Sequence, residues 1–410
     1  MTRAHTALVI GGGIAGPVAA MALRRAGTDA TVYEAHAQTS EEVGSYLTVA
    51  TNGLDALRAI GADGPVLEAG FPTPANVLWS GAGRRLGAVT NGGTLPDGTT
   101  AHTVKRARLY GALHREAARR GIQVQFGRRL VDAEPTPDGG VVARFDDGGR
   151  ATADLLVGAD GVHSATRRLI DPDAPGGRYV GLVNFGGYTH EAPAGASAGV
   201  WHMVFGGRAF FGYVVDPAGG TVWFANVPRD PVSAAERAAT SPEQWRRWLV
   251  DRFADDHGPA KRLIAAGELE LAADSTHDLP RVPTWHKGPM VIIGDAAHAP
   301  SPSSGQGASM AAEDAVVLAK CLRDLPDVPE ALAAYERMRR RRVERIVAHG
   351  ARTSSAKTPG PLGRTVRDLL LPVVFKALVT DRSLAWIHHH HIDWDTPVGL
   401  APTGLGARTS

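Results

Sequence analysis

Thr6-Ala-Leu-Val-Ile-Gly-Gly-Gly-Ile-Ala-Gly16, continued by Pro17-Val-Ala-Ala-Met-Ala-Leu-Arg-Arg-Ala26, is the stretch that decides the fold. The apolar run Ala7–Ile10 reads as a buried strand. The glycines at 11, 13 and 16 form a turn that opens a helix. Val18, Met21 and Ala22 fall on one face of that helix, and Gly27 sits where a helix stop belongs. Thr31-Val-Tyr-Glu34 reads as a second strand, which completes a βαβ unit. In such a unit Gly11 permits the tight turn and Gly13 lets a phosphate approach the backbone. Gly16 lets the helix pack closely on the strand. Ile14 and Ala15 complete the turn and bring the positive end of the helix to the anion. Glu34 ends the second strand 18 residues after Gly16, where a carboxylate can accept ribose hydroxyls. The stretch therefore predicts a dinucleotide site.

Two further glycine turns follow buried strands. Leu155-Leu-Val-Gly-Ala-Asp-Gly-Val-His-Ser-Ala-Thr-Arg167 delivers the pair Asp160-Gly161, with Ser164 as a cap for the helix carrying Arg167. Met290-Val-Ile-Ile-Gly-Asp295 delivers a carboxylate suited to a polyol hydroxyl. Pro302-Ser-Ser-Gly305-Gln-Gly307 then starts a long helix, predicted over about 307–324, through Ala308. Its free amides and dipole would stabilise a docked anion. From about 178 to 230 aromatic and β-branched residues alternate, as in Val200-Trp-His-Met-Val-Phe205, and predict an antiparallel sheet. Phe211, Tyr213 and Val215 share one face of it, and Phe210, Gly212 and Val214 the other. Met203, Phe211 and Trp223 are the candidates for lining a substrate cavity.

The expected class is α/β: a Rossmann-like nucleotide-binding domain with an inserted antiparallel sheet and C-terminal helices. The nucleotide-binding domain is discontinuous, over 1–70, 100–177 and 280–325. The substrate domain takes 71–99 and 178–279. A helical region covers 326–396 and a flexible tail 397–410.

Composition narrows the function. Glycine makes up 49 of 410 residues, about 12% against a usual value of about 7%. Eight of these glycines lie in the three motifs and most of the others in turns. Lys and Arg number 44 against 42 Asp and Glu, which excludes a globally basic nucleic-acid surface. The single cysteine, Cys321, excludes an intrachain disulfide and falls on an apolar helix stripe as inert core. Ala7–Ile10 is too short for a signal peptide. The run Leu369-Leu-Leu-Pro-Val-Val-Phe375, extended by Ala377–Val379, falls short of the roughly 20 residues of a membrane span. A cytoplasmic monomer or homodimer without stable membrane insertion is expected. His388–His391 predicts no metal site, because successive side chains point in different directions. His298 reads as a structural hydrogen-bonding residue. Arg339–Arg342, flanked by Glu336 and Glu344, reads as a solvated helix face.

As an ordered set the three glycine motifs resemble those of the class A, para-hydroxybenzoate hydroxylase-like, FAD-dependent monooxygenases. Arg106 with Leu109 and Leu113 matches a further family element. In the Asp160-Gly161 motif Thr166 departs from the family pattern, replacing the usual apolar residue before Arg167. His391-Ile-Asp-Trp-Asp395 resembles the C-terminal region of bacterial members similar to tetracycline-inactivating monooxygenases. The resemblance implies FAD as cofactor and NADPH or NADH as co-substrate, with no second nucleotide domain. It also implies reaction of reduced flavin with O2 to a C4a-hydroperoxide, which hydroxylates an aromatic or polycyclic small molecule. Arg106 would contact the phosphate–ribityl region, and Asp295 the ribityl chain. Asp160 would belong to the motif shared by FAD and NAD(P)H. Pro302 would lie beside the reactive flavin edge. The amides of Gly305, Gly307 and Ala308 would face its pyrimidine edge, where the helix dipole favours the reduced anion. No protein acid or base is assigned, since the chemistry is flavin-borne. Baeyer–Villiger insertion, epoxidation, or a non-oxygenating FAD-dependent reductase on the same scaffold are the alternatives.

Overall fold

A computed structural model describes residues 3–37, 45–357 and 381–399. The apolar segment 369–379 and the tail beyond 399 lie outside the described residues.

The strand Thr6–Ile10 lies inside a six-stranded sheet. Its neighbours are Leu155–Gly158 and Asp29–Glu34, followed outward by Met290–Ile292 with His286–Lys287 on one side and Gln123–Phe126 on the other. All pairs are parallel except the hairpin His286–Lys287 with Met290–Ile292. Ala7, Leu8, Val9 and Ile10 are all buried, as expected for a parallel strand covered on both faces. The helices Ala15–Arg25 and Gly307–Asp324 pack on each other in the same core. A three-stranded antiparallel sheet, Leu130–Pro135, Val141–Phe145 and Arg150–Ala153, adds Phe145, stacked on Tyr33 at 4.7 Å.

Two glycines make this opening possible. Gly11 is left-handed at φ +106°, and a Cβ there would lie 2.4 Å from the Ala159 carbonyl oxygen. A Cβ on Gly16 would lie 1.9 Å from the carbonyl oxygen of Gly11. Backbone meets backbone at both places, so no side-chain movement relieves the clash.

A second sheet has seven strands in the order Glu268–Asp278, Arg178–Thr189, Thr221–Pro228, Phe210–Val215, Val200–Phe205, Ala75–Ser80 and Arg85–Thr90. It is antiparallel except between Val200–Phe205 and Ala75–Ser80. One face packs on the helices Pro242–Arg252 and Ala260–Ala266 through Phe185, Phe211, Trp223, Trp245 and Leu263. A capping box of Ser241 and Gln244 starts the first of these helices. The edge strand Glu268–Asp278 carries a bulge. Asn184 pairs with Asp274, but Gly186 pairs with Leu271 rather than Ala272. Ala273 takes up the extra residue at φ +53°, unusual for a residue with a Cβ. Such a conformation costs of order 1–3 kcal/mol and persists where surrounding contacts hold it. Here Arg237 donates to the Ala273 carbonyl at 3.1 Å.

The arginine run corrects one expectation. Only Arg341 behaves as a solvated residue. Arg339 is 1% exposed. Its Nε lies 2.7 Å from Asp314 Oδ1 and its guanidinium 2.6 Å from Glu313 Oε2. Arg342 holds Glu313 at 2.8 Å and donates to the carbonyls of Trp386 and Ile387. Arg340 pairs with Glu336 and Glu344, one turn away on either side. Glu313 and Asp314 project from Gly307–Asp324 into the interface with the helix Val328–Lys357. The arginines are buried because their partners are. No described helix is long and apolar enough to cross a membrane.

Candidate cofactor and substrate cavity

A cavity of about 1500 Å³ opens where the parallel strands end, the usual ligand position in open α/β sheets. Its opposite wall is the second sheet. Gly11, Gly13 and Ile14 line it at the first turn, and Glu34 lines it at the end of the second strand. Ala15 and Gly16 are buried beneath and serve packing. A Cβ on Gly13 would have only the Tyr110 hydroxyl near it, at 3.8 Å. The helix Ala15–Arg25 has no side-chain cap at Ile14. Its first amides therefore face a cradle kept open by glycine, which is the chemistry a pyrophosphate requires. Glu34 is held at the cavity edge by the amides of Gly12, 2.6 Å from Oε2, and His36, 2.9 Å from Oε1.

Asp160 and Gly161 line the cavity after Leu155–Gly158. The Asp160 carboxylate accepts from Ser164 Oγ at 2.5 Å, and from Thr166 N at 2.9 Å and Oγ1 at 3.0 Å. Thr166, the departure noted in the sequence, thus supplies a hydroxyl to the motif's own carboxylate. Ser164 caps the helix by accepting from Arg167 N at 2.8 Å. Arg167 is buried and donates to the carbonyls of Val162 and Ala296, tying the second motif to the third.

At the third turn Asp295, Pro302, Gly305, Gly307 and Ala308 reach the cavity. Gly305 is left-handed at φ +62°. Gln306 gives the helix Gly307–Asp324 no side-chain cap, so a second open N-terminus faces the same space. Asp295 lies deep in the protein but is open to the cavity. Burial pushes its carboxyl pKa up, while His298 and Arg106 pull it down. Arg106 donates to Tyr110 Oη at 2.7 Å. Burial opposes its charge, but Tyr110, Asp295 and Asp274 hold its pKa above the ordinary value. His298 is buried and meets Asp314 at 2.6 Å, away from the cavity lining.

The aromatic wall corrects the substrate candidates. Met203 lines the cavity, whereas Phe211, 0% exposed, and Trp223, 1% exposed, lie in the core on the far face. Register is the cause: Met203 pairs with Gly212, which pairs with Phe224, so these share a face that Phe211 does not. The cavity side instead carries Trp201, Phe205, Phe210, Phe224, Asn184 and Asn226. Parity along one strand, from Met203 to 201 and 205, was the available signal for two of them.

The histidine run docks beside the same space. His388 lines the cavity near Gln306. The rings of His388 and His389 lie against Gly92 and Gly93. Burial brings the His390 pKa down to about 4, and His391 pairs with Asp55 at 2.9 Å. Among the described residues no group of three or more His, Cys, Asp or Glu is placed to hold a metal ion.

Glycine-cradled helix ends on a parallel sheet, facing an antiparallel aromatic wall, define a flavoprotein of the para-hydroxybenzoate hydroxylase type. The chain belongs to the FAD binding domain family, whose profile matches residues 4–349. Aurachin C monooxygenase/isomerase of Stigmatella aurantiaca is 32% identical over 351 residues, 85% of this chain and 88% of that protein. FAD-dependent urate hydroxylase of Klebsiella pneumoniae is 33% identical over 346 residues, covering 83% and 87%. 2-Heptyl-3-hydroxy-4(1H)-quinolone synthase of Mycobacteroides abscessus is 33% identical over 351 residues, covering 84% and 88%. Among solved structures, Klebsiella pneumoniae HpxO with FAD and uric acid superposes at a TM-score of 0.81, with 28% identity over 93% of this chain and 97% of that one. Tetracycline destructase Tet(55) shares the fold at a TM-score of 0.67 and 20% identity, covering 95% and 99%.

Proposed function

We propose that the protein is an FAD-dependent monooxygenase that uses NADPH or NADH and O2 to hydroxylate an aromatic or polycyclic small molecule. The observation that carries this is one continuous cavity joining the glycine cradle to the aromatic wall. About 1500 Å³ exceeds the roughly 300–1,000 Å³ of a single-ligand pocket, which leaves room for a substrate beside a dinucleotide. When bound, FAD supplies hydride acceptance from NAD(P)H and oxygen activation in its reduced form.

The chain's own residues then have defined tasks. Gly11 and Gly13 admit the pyrophosphate to the amides of Ala15–Arg25, Glu34 accepts the adenosine ribose hydroxyls, and Asp295 accepts a ribityl hydroxyl. Arg106 balances phosphate charge. The open N-terminus of Gly307–Asp324 stabilises negative charge on the ring system. The aromatic wall excludes water from the reacting face. In this reading segments 1–70, 100–177 and 280–325 form the FAD domain and 71–99 with 178–279 the substrate domain. The NAD(P)H requirement fits a cytoplasmic enzyme, acting as monomer or homodimer.

Turnover under isotope-labelled dioxygen tests the reaction. One labelled oxygen atom should appear in the product, and its position distinguishes hydroxylation from epoxidation or ring insertion. A product without label would make the protein an FAD-dependent reductase instead. Asp295→Ala should weaken FAD binding roughly 10- to 100-fold, the weight of a hydrogen bond to a charged group. Flavin content after dialysis reads this, and full retention would remove Asp295 from the site.

A further inference from the structure

The bulge in the strand Glu268–Asp278 has a directional effect. In a regular strand Leu271 and Asp274, three residues apart, would face opposite sides. The extra residue at Ala273 turns Asp274 back to the side of Leu271, and both line the cavity. Bulges beside binding sites commonly re-aim a side chain in this way. The carboxylate enters an ordered row across five neighbouring strands. Asp274 pairs with Asn184, Asn184 with Asn226, Asn226 with Phe210, and Phe210 with Phe205. All five line the cavity. Asn226 Nδ2 donates to Asn184 Oδ1 at 2.6 Å. The row thus grades from a carboxylate through two amides to two phenyl rings. Among the described residues that the seven-stranded sheet gives to the cavity, none is Lys, Arg or His, and Asp274 alone carries charge.

We propose that Asp274 anchors the substrate, accepting a hydrogen bond from an N–H or O–H on the polar edge of an uncharged aromatic ring system whose apolar end lies along Phe210 and Phe205. This rests on the monooxygenase reading above, which puts a substrate on this wall. A charged acceptor makes a shorter and stronger bond than a neutral one, so a ligand lacking the donor forfeits that bond. An acidic ligand such as uric acid, which HpxO binds, meets like charge on this wall and no basic partner. Arg106 lines the same cavity, where its Nε donates to Tyr110 and its charge already acts on Asp274.

Equilibrium dialysis of the FAD-loaded protein with three probes tests the assignment: a 2-alkyl-4(1H)-quinolone, its N-methyl derivative, and urate. The N–H quinolone should bind, the N-methyl compound roughly 10- to 100-fold more weakly, and urate not measurably. Asp274→Asn should collapse the ratio between the first two towards unity, with flavin content read alongside to separate lost anchoring from lost fold. Equal binding of the methylated probe, tighter binding of urate, binding of no probe, or an unchanged ratio in Asp274→Asn would each overturn the proposal. Bleaching of bound FAD by NADPH or NADH needs none of these probes. A protein whose flavin bleaches but whose probes behave otherwise fails only the Asp274 assignment; one that neither holds nor reduces FAD fails the monooxygenase reading.

Discussion

Gly13→Val should give a folded protein that purifies with almost no FAD. The position has open space where a side chain would go, with the nearest atom 3.8 Å away, so stability should change by less than about 1 kcal/mol. The isopropyl group would occupy the space through which a pyrophosphate reaches the helix amides, and FAD affinity should fall by at least about 100-fold, or about 2.7 kcal/mol. Gly16→Ala is the contrasting case. Its methyl would stand 1.9 Å from the carbonyl oxygen of Gly11, forcing strand and helix apart at a cost of about 3 kcal/mol or more. Urea unfolding and flavin absorbance per protein separate the two. A Gly13→Val protein with a full complement of flavin would refute the cradle.

Arg339→Ala should destabilise the fold by about 3–5 kcal/mol, because it leaves two buried carboxylates without their shared cation. Both partners are 0% exposed, so solvent screens little of the effect. The pH dependence carries the signature. Burial raises the Asp314 pKa, but His298 and Arg339 outweigh it and hold the carboxyl down at about 2; Glu313 is also lowered, by Arg339 and Arg342 against burial. A carboxyl depressed in the folded state contributes stability above its unfolded value and loses it as pH falls through the folded value. For Asp314 that window runs from about pH 4 down to about pH 2. In Arg339→Ala the carboxyls protonate at higher pH, so the deficit against wild type should be largest near neutrality and shrink on acidification. Urea midpoints at several pH values measure this. A deficit under about 1 kcal/mol at pH 7 would mean that the cluster is effectively solvated.

The βαβ opening was legible because its glycines follow a buried strand at fixed spacing, so local sterics dictate local structure. Asp160, Asp295 and the 305–308 turn were legible for the same reason, since each strand end delivers its own turn to one edge of the sheet. What depends on pairing between distant segments was not legible. Phe211 and Trp223 have the composition of a substrate wall, but only the register of their strands with Val200–Phe205 decides which face they take. Asp274 was missed because the bulge breaks the period of two on which a face assignment rests. The arginine run was misjudged because Glu336 and Glu344 are visible as helical neighbours, whereas Glu313 and Asp314 reach it from another helix.

The strand order also sets a timetable. Thr6–Ile10 is synthesised long before Leu155–Gly158, beside which it lies, and Ala15–Arg25 long before Gly307–Asp324, on which it packs. Translation at about 5–20 residues per second leaves the first helix roughly 15–60 s without that partner. The segment 178–278 carries most of the second sheet and the helices that cover it, so it can collapse while the earlier segments still wait. The middle segment can therefore pack while the apolar face of Ala15–Arg25 still awaits Gly307–Asp324.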